Sequence, residues 1–548
     1  MPVLHMRRNM ATLLVWAMAG LFAGVSELPA DDSAPSKEAP TPSWLEYKYL
    51  VKVLSSATYE EPADSTLNPG NNVAALPQWT MDGQVRLDFN ASAGPVSFFI
   101  KPRFTSDWQS WDEGTLDGKS DSETENHINE WQLRLSIRDK AFISYGRENL
   151  QWGPSALFSP SNPFNQDNGQ NNPKRELPGM DFAKLLLVAN REWSFSLIAN
   201  VGEGRANVSR NIDSQYNQFV ESVDAQAQQE LDYINQQYQQ GLQQIAAVDA
   251  PFAGRPGPIA DVVNAQAASL TSYATQQKNL AVAEVNTTVT QVLQEGKLQK
   301  NTYDKTFQNN YAVKADYQSD QKYATLIASY QETDQREDPK RLRLGGYAGW
   351  TVSEAVLLYG EATASLRGDE LYPVADTNSP FGTRLAKTRD IDDDFEGIGL
   401  LGGSYTTEGG KTIVAEYLYN GVGYNGKQAD EHYKLRSQAA DALSQPEPYS
   451  SLGLITLAEA VSPGMRFIRQ NYVLLQYQQM QVIGNLGFVM RCTINLDDRS
   501  AQVIPILQYG LGDHWQLFAV CDQNVGPKNT EFTSLIARSY QVGFDYTF

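Results

Sequence analysis

Beyond its first thirty residues the chain has no apolar run near the roughly 18–20 residues that a membrane-crossing helix needs. Its mean hydropathy of -0.43 and 41% hydrophobic content exclude a helical membrane bundle. Positive charge is scarce as well. Against 64 Asp and Glu stand 44 Lys and Arg, a net charge of -20 that would repel a nucleic-acid backbone, so no nucleic-acid partner is expected. Cysteine is limited to Cys492 and Cys521, and beyond the first thirty residues histidine is limited to His127, His432 and His514. A His/Cys metal cluster is therefore not expected, and no cofactor is implied. No Gly-x-Ser-x-Gly elbow, phosphate loop or dinucleotide fingerprint falls between a strand and a helix, so the chain does not read as an enzyme.

What is abundant is aromatic: 27 Tyr, 21 Phe and 10 Trp. Many sit in stretches where apolar and polar residues strictly alternate. Met81, Val85, Leu87 and Phe89 interleave with Asp82, Gln84, Arg86 and Asp88. Trp131, Leu133, Leu135 and Ile137 interleave with Gln132, Arg134 and Ser136, and Tyr540, Val542, Phe544, Tyr546 and Phe548 do the same at the end. A strand places such alternate residues on opposite faces. Repeated at about ten residues each, one apolar and one polar face make the pattern of a transmembrane barrel, whose average composition looks ordinary. Cys492 and Cys521 share the apolar faces of their strands. With one strand between them they would be roughly 10 Å apart, two strand spacings, so both thiols are expected to be free.

The connections alternate too. Short turns are expected at 91–94, 139–140, 190–192, 319–321, 351–354, 407–410, 482–484 and 511–513. Long segments are expected at 57–80, 107–128, 149–181, 203–304, 333–340, 367–394, 422–466 and 524–536. Only Asp497–Ser500 is short where a long loop is due. Counting with that parity gives about eighteen antiparallel strands, with both termini on the short-turn, periplasmic side. One segment, 211–300, abandons the period of two. Phe219, Val223, Leu231, Ile234, Tyr238, Leu242 and Ile245 recur at three- and four-residue steps. A Pro/Gly turn follows, then a second run through Val262, Leu270, Ala274, Ala281, Val285, Val289 and Val292. This predicts an antiparallel helical hairpin in an extracellular loop. A shorter helix is predicted between Glu431 and Leu443.

At the other end, Arg7 and Arg8 precede an apolar run from Ala11 to Val25 and then Pro29-Ala30, the layout of an export signal over 1–30. A Pro/Ser/Glu linker, 31–43, leads to the barrel, 44–548. The motif Gly146-Arg147, Trp152-Gly153, Asn162-Pro163 and Arg175, with the late stretches Arg469-Gln470-Asn471-Tyr472, Asp498-Arg499-Ser500 and Glu531-Phe532, resembles porin-like families of Gram-negative outer membranes. The resemblance implies an outer-membrane β-barrel, with lipid and the barrel assembly machinery as partners and Phe548 as an assembly signal.

Two groups of residues are candidates for function. The loop 149–181, rich in Asn, Gln and Pro, must satisfy its backbone somewhere. Folded into the lumen, it would make Arg147, Trp152, Asn162, Asn165, Arg175 and Asp181 a constriction; alternatively the motif only anchors the loop to the wall. Arg86, Lys101, Arg103, Arg134 and Arg138 form a candidate basic lumen wall, which Asp82, Asp88 and Glu130 on the same faces would offset. Asp390, Asp392, Asp393 and Asp394 read as a solvated acidic loop rather than a calcium site. The expected function is passage of small hydrophilic solutes. A plugged barrel that binds surface polysaccharide is the alternative.

Overall fold

The computed structural model describes residues 45–548, apart from 157, 167–173, 175, 206–211, 304–308, 333–340, 367, 369, 378, 388–394, 446–448 and 462. The expected signal peptide, the linker, Arg175 and the Asp390–Asp394 cluster lie outside the described residues. Tyr47–Phe548 forms one unit.

Eighteen strands pair antiparallel in chain order and close on themselves. They are β1 (Leu45–Pro62), β2 (Trp79–Ala93), β3 (Val96–Ser110), β4 (Ser120–Ile137), β5 (Ala141–Glu148), β6 (Met180–Val188), β7 (Trp193–Gly202), β8 (Asn310–Gln318) and β9 (Lys322–Gln331). The circuit continues with β10 (Arg341–Ser353), β11 (Val356–Leu366), β14 (Phe395–Thr406), β15 (Lys411–Asn420), β16 (Asn471–Ile483), β17 (Leu486–Asn495), β18 (Ala501–Leu511), β19 (Trp515–Val525) and β20 (Ile536–Thr547). Closure is made by β1 on β20, from Lys52 opposite Thr547 to Glu61 opposite Arg538. A closed sheet leaves no unpaired edge, the condition for crossing lipid with strands.

The period of two becomes two surfaces. Leu133, Leu135, Ile143, Tyr145, Leu197, Val313, Leu344, Leu358, Leu401, Ile413, Leu507 and Val542 all point outward and stay exposed. So broad an apolar belt is the surface of a membrane-spanning barrel, not of a protein surrounded by water. Aromatic rings gather at both margins: Tyr59 against Trp79 (4.9 Å) at the long-loop end, Trp193 against Tyr317 (5.1 Å) and Trp515 against Tyr546 (4.6 Å) at the short-turn end. Cys492 and Cys521 are free thiols on β17 and β19, with β18 between them.

Eight short turns join the strands at one end, as their spacing predicted. At the other end several loops are shorter than expected because the strands run further, most clearly residues 111–119 in place of 107–128 and 63–78 in place of 57–80. The long segments carry their own structure. Helices α1 (Ile212–Asp249) and α2 (Pro258–Tyr303) form the hairpin, with Pro258 at the first helical position, where its missing N–H costs nothing. Residues 421–470 hold two helices where one was predicted, α3 (Gly426–Ala442) and α4 (Tyr449–Val461); β12 (Leu371–Ala375) and β13 (Thr383–Lys387) make a separate small hairpin.

These loops pack into a cap. Leu67, Leu371, Leu385, Leu435 and Ala460 come from three different loops and share one apolar cluster. Ser65 Oγ donates to the Ser534 carbonyl (2.5 Å), and Thr66 N donates to Asn529 Oδ1 (2.8 Å). The base of the helical hairpin joins through Val223 and Val292, which meet Leu452 of α4.

Candidate functional site: the inserted loop and the cavity beside it

The chain leaving β5 turns into the barrel. Gly153 has a φ of +83°, and a Cβ there would collide with the Glu361 carboxylate, so only glycine lets the backbone pass this close to the wall. Beyond it two glutamates of the inner face hold the loop. Glu416 on β15 accepts from Ser155 Oγ (3.1 Å), Ala156 N (2.9 Å) and Tyr359 OH (2.6 Å). Glu361 on β11 accepts from Ser161 N (2.9 Å), Ser161 Oγ (2.7 Å) and Ser159 Oγ. Arg343 of β10 donates to the Pro160 carbonyl. Between the two glutamates, Phe158 enters an inward-facing apolar pocket of Tyr359, Leu400, Leu418, Phe467, Tyr472 and Leu474. The loop thus turns an apolar stretch of inner wall into a packed core, and each buried carboxylate meets three donors, at Glu361 all on one oxygen.

The returning segment is held elsewhere on the wall. Arg103 of β3, 1% exposed, donates from Nε and Nη2 to the two oxygens of Glu176 (2.6 and 2.8 Å), and its Nη2 lies 2.8 Å from Asp88. Arg86 of β2 donates to the Lys174 carbonyl (2.6 Å). Lys174 reaches Asp545 of β20, Gln516 of β19 (2.5 Å) and the ring of Phe518 (5.1 Å). Burial works to raise the Glu176 carboxyl. The hydrogen bond from Arg103 and the charges of Arg86, Arg103 and Lys101 outweigh it and hold the group below its ordinary range. The loop is therefore attached to β10, β11 and β15 on one side of the bore and to β2, β3, β19 and β20 on the other.

Beside the returning segment lies a cavity of about 310 Å³. Its wall carries Ser56 of β1, Asp82 and Gln84 of β2, Thr105 and Asp107 of β3, and Glu125 and His127 of β4; Lys174 and Glu176 form the facing side, with Arg205 at the root of the hairpin. Arg205 contacts His127 and donates to Glu125 (2.9 Å). Acids and cations thus face each other across a short polar gap, which offers a hydrated solute fixed charges of both signs.

The candidate constriction residues separate into three positions. Arg147 and Asp181 pair at 2.9 Å, but on β5 and β6 they share the outward face of Tyr145 and Ala183, so they sit outside the barrel near its long-loop end. Trp152 is inside, packed on Phe164 (5.6 Å) and through it on Phe182, with the Lys314 ammonium over its ring at 5.3 Å. Asn162 is fully buried and serves the loop itself: its Nδ2 donates to the Leu150 carbonyl (2.7 Å), and its Oδ1 accepts from Phe164 N and Asn165 N. Asn165 Nδ2 donates to Asn149 Oδ1 (3.1 Å).

Of the basic wall, Arg86, Lys101 and Arg103 lie together on β2 and β3, each matched by acid; Lys101 meets Glu130 at 2.8 Å. Arg134 faces the lumen with its guanidinium over Phe142 (4.2 Å). Arg138 does not belong to the wall. It and Asp139 have φ of 53° and 55°, the two central residues of a tight hairpin turn at the short-turn end.

Sequence reasoning passed over Glu361, Glu416, Lys174, Glu176 and Arg205. The two glutamates did carry a signal: each is the lone charged residue on an inward face otherwise filled by apolar and neutral polar side chains.

No family model and no curated protein matches the sequence. Among solved structures the chain is similar to OccK5 (OpdH) of Pseudomonas aeruginosa, at 9% identity over 92% of this chain and 98% of that one, with a TM-score of 0.43. It is similar to OccAB1 of Acinetobacter baumannii, at 10% identity over 92% and 96%, with a TM-score of 0.44. A mutant porin of Rh. blastica is matched at 10% identity over 92% and 100%, with a TM-score of 0.36.

Proposed function

We propose that this protein is an outer-membrane channel for small hydrophilic solutes, and that its passage runs along the β1–β4 wall beside Lys174 and Glu176. In this reading the short turns and both termini lie in the periplasm, and the capped loops face outward. The observation that carries it is the asymmetry of the lumen. The inserted loop seals against apolar wall at β11, β14, β15 and β16, while the opposite side keeps a charged cavity. A solute crossing there exchanges water for fixed polar partners, so passage is selective without chemistry. Arg86, Lys101 and Arg103 act as paired charges of that wall rather than as an anion filter. Trp152, Asn162 and Asn165 brace the loop that narrows the bore.

A plugged barrel that binds polysaccharide is the second reading, favoured by the cap of packed loops over the same end. Single-channel recording in planar bilayers separates the two. Stepwise current from the wild type supports the channel. Current only after the double change Glu361→Gln and Glu416→Gln, which weakens the loop's seat, marks a plugged barrel. Silence in both overturns the channel.

A further inference from the structure

Helix α2 bears two apolar stripes, and α1 covers only one of them. Ala260 and Val292 lie on the covered side, at 5% and 2% exposure. Ile259, Val262, Leu270, Tyr273 and Leu280 are 72%, 64%, 50%, 60% and 57% exposed. At 100° per residue these five fall within an arc of about 80°, centred about 110° around the helix from the covered stripe. They present on the order of 500 Å² of apolar surface, as large as the largest patch on an ordinary monomer and most of the ~800 Å² a side that a specific interface buries.

The stripe begins far from the root of the hairpin. Ile259 lies 33 residues before Val292, where the hairpin is rooted on α4, a distance of about 50 Å along the helix. Charge then selects the occupant. α1 carries six acids and no Lys or Arg, so α1 faces of two copies repel. From Pro258 to Ala283, α2 has only Asp261 and Lys278, and the Lys278 ammonium lies over Tyr238 of α1 at 4.8 Å. From Ile259 to Leu280 the stripe itself is therefore uncharged, so two copies of an acidic chain can meet along it without like-charge repulsion until Glu284, which follows on the same face.

We propose that α2 is a homotypic docking face through which two copies of this chain associate side by side. Copies embedded in one membrane share an orientation, so a two-fold axis along its normal brings the same stripe residues together. The exposed Gln266 and Gln277 lie within the stripe and would fix its register by hydrogen bonding, as single polar residues do in helical seams.

The test uses the full-length protein in detergent and in lipid nanodiscs, with Cys492→Ala and Cys521→Ala removing the native thiols. Oxidation of Tyr273→Cys or Leu270→Cys should give disulfide-linked dimers, whereas Ser272→Cys, on another face of α2, should not. Adding Leu270→Gln and Leu280→Gln to Tyr273→Cys should abolish the dimer and halve the protein mass found by light scattering, with the single-channel current unchanged. A wild-type monomer, or equal cross-linking at position 272, overturns the proposal, as does a different protein or a glycan bound to the stripe of a monomer.

Discussion

Arg103 and Arg436 are each 1% exposed, yet their surroundings are opposite. Arg103 has Glu176 and Asp88 within hydrogen-bonding distance. Arg436 on α3 donates to Ser534 Oγ (2.7 Å), lies over the Tyr433 ring, and has no partner for Nε or Nη1 among the described residues. Burial, opposed only in part by Tyr433 and Tyr424, lowers it to about 10; burial and the neighbouring Arg436 charge together lower His432 to about 3. Breaking a satisfied buried pair leaves a charge stranded, so Arg103→Met should loosen the returning loop by about 3–5 kcal/mol. The expected readout is a larger, noisier single-channel current. Arg436→Met removes a buried charge that lacks a counter-ion and should leave the cap unchanged or more stable, measured by hydrogen exchange of 421–470.

Glu531 gives the cap a pH dependence. It accepts from Tyr472 OH (2.6 Å), Asn495 Nδ2 (2.7 Å) and Ile468 N (2.9 Å), but burial outweighs these bonds and pushes it up to about 7. Below the ordinary value of 4.5 the seated and released loops are both protonated, and the contribution is complete. Between 4.5 and 7 only the seated loop keeps the proton, so stability falls as pH rises, by on the order of 3 kcal/mol over the window. Loop protection should therefore be greater at pH 5 than at pH 8, and Glu531→Gln should remove the difference.

At the scale of elements, the inserted loop behaves in the opposite sense. Glu176 is held below its ordinary value, so its contribution is present above 4.5 and is lost as pH falls through its lowered value. Acid should loosen the returning segment while it tightens the cap, and limited proteolysis at 149–179 against 526–535 would show the two trends crossing. The helical hairpin is a separate element. β7 pairs directly with β8, Asn200 opposite Asn310, so the two ends of the insertion are already adjacent. Replacing 206–308 by a short Gly/Ser link should leave a heat-modifiable barrel that still conducts; loss of the folded band on unheated gels would contradict this. The period of 3.6 made both hairpin helices legible in advance. It could not show that Val262 and Leu270, counted among the packing positions, are exposed, because two stripes on one helix share a period. α4 escaped detection for a related reason: Leu452, Ile455, Leu457 and Ala460 are buried among loops on several sides, so its apolar residues form a near-continuous run.

At the scale of the whole molecule, closure is made by the last strand. Tyr540, Val542, Phe544 and Tyr546 face outward on β20 beside β1 and β19. Phe548 donates its backbone N–H to the Val51 carbonyl (2.9 Å) and packs its ring on Tyr546 (4.5 Å). Deleting Phe548 removes one hydrogen bond and one ring, a small loss for a finished barrel. A large fall in the amount of assembled protein in cells, with refolded protein equally stable, is the expected sign that this residue is read during assembly. Equal assembly would remove that role.

The sequence by itself determined the barrel. Which face meets lipid, how many strands there are and at which end the chain turns tightly are all set by a period of two and by local turn chemistry, interactions between near neighbours in the chain. What only the tertiary structure decided is the interior. Glu416 meets Ser155 across 261 residues and Asp545 meets Lys174 across 371, and no local pattern encodes such pairs. Arg147 and Asp181 looked like pore residues because the motif around them enters the lumen, yet the alternation of β5 and β6 turns those two outward. Arg138 continued an inward series that its own turn had already ended. Alternation assigns a side chain to one face of the sheet, and only the folded loop decides which part of the inner face remains open to solute.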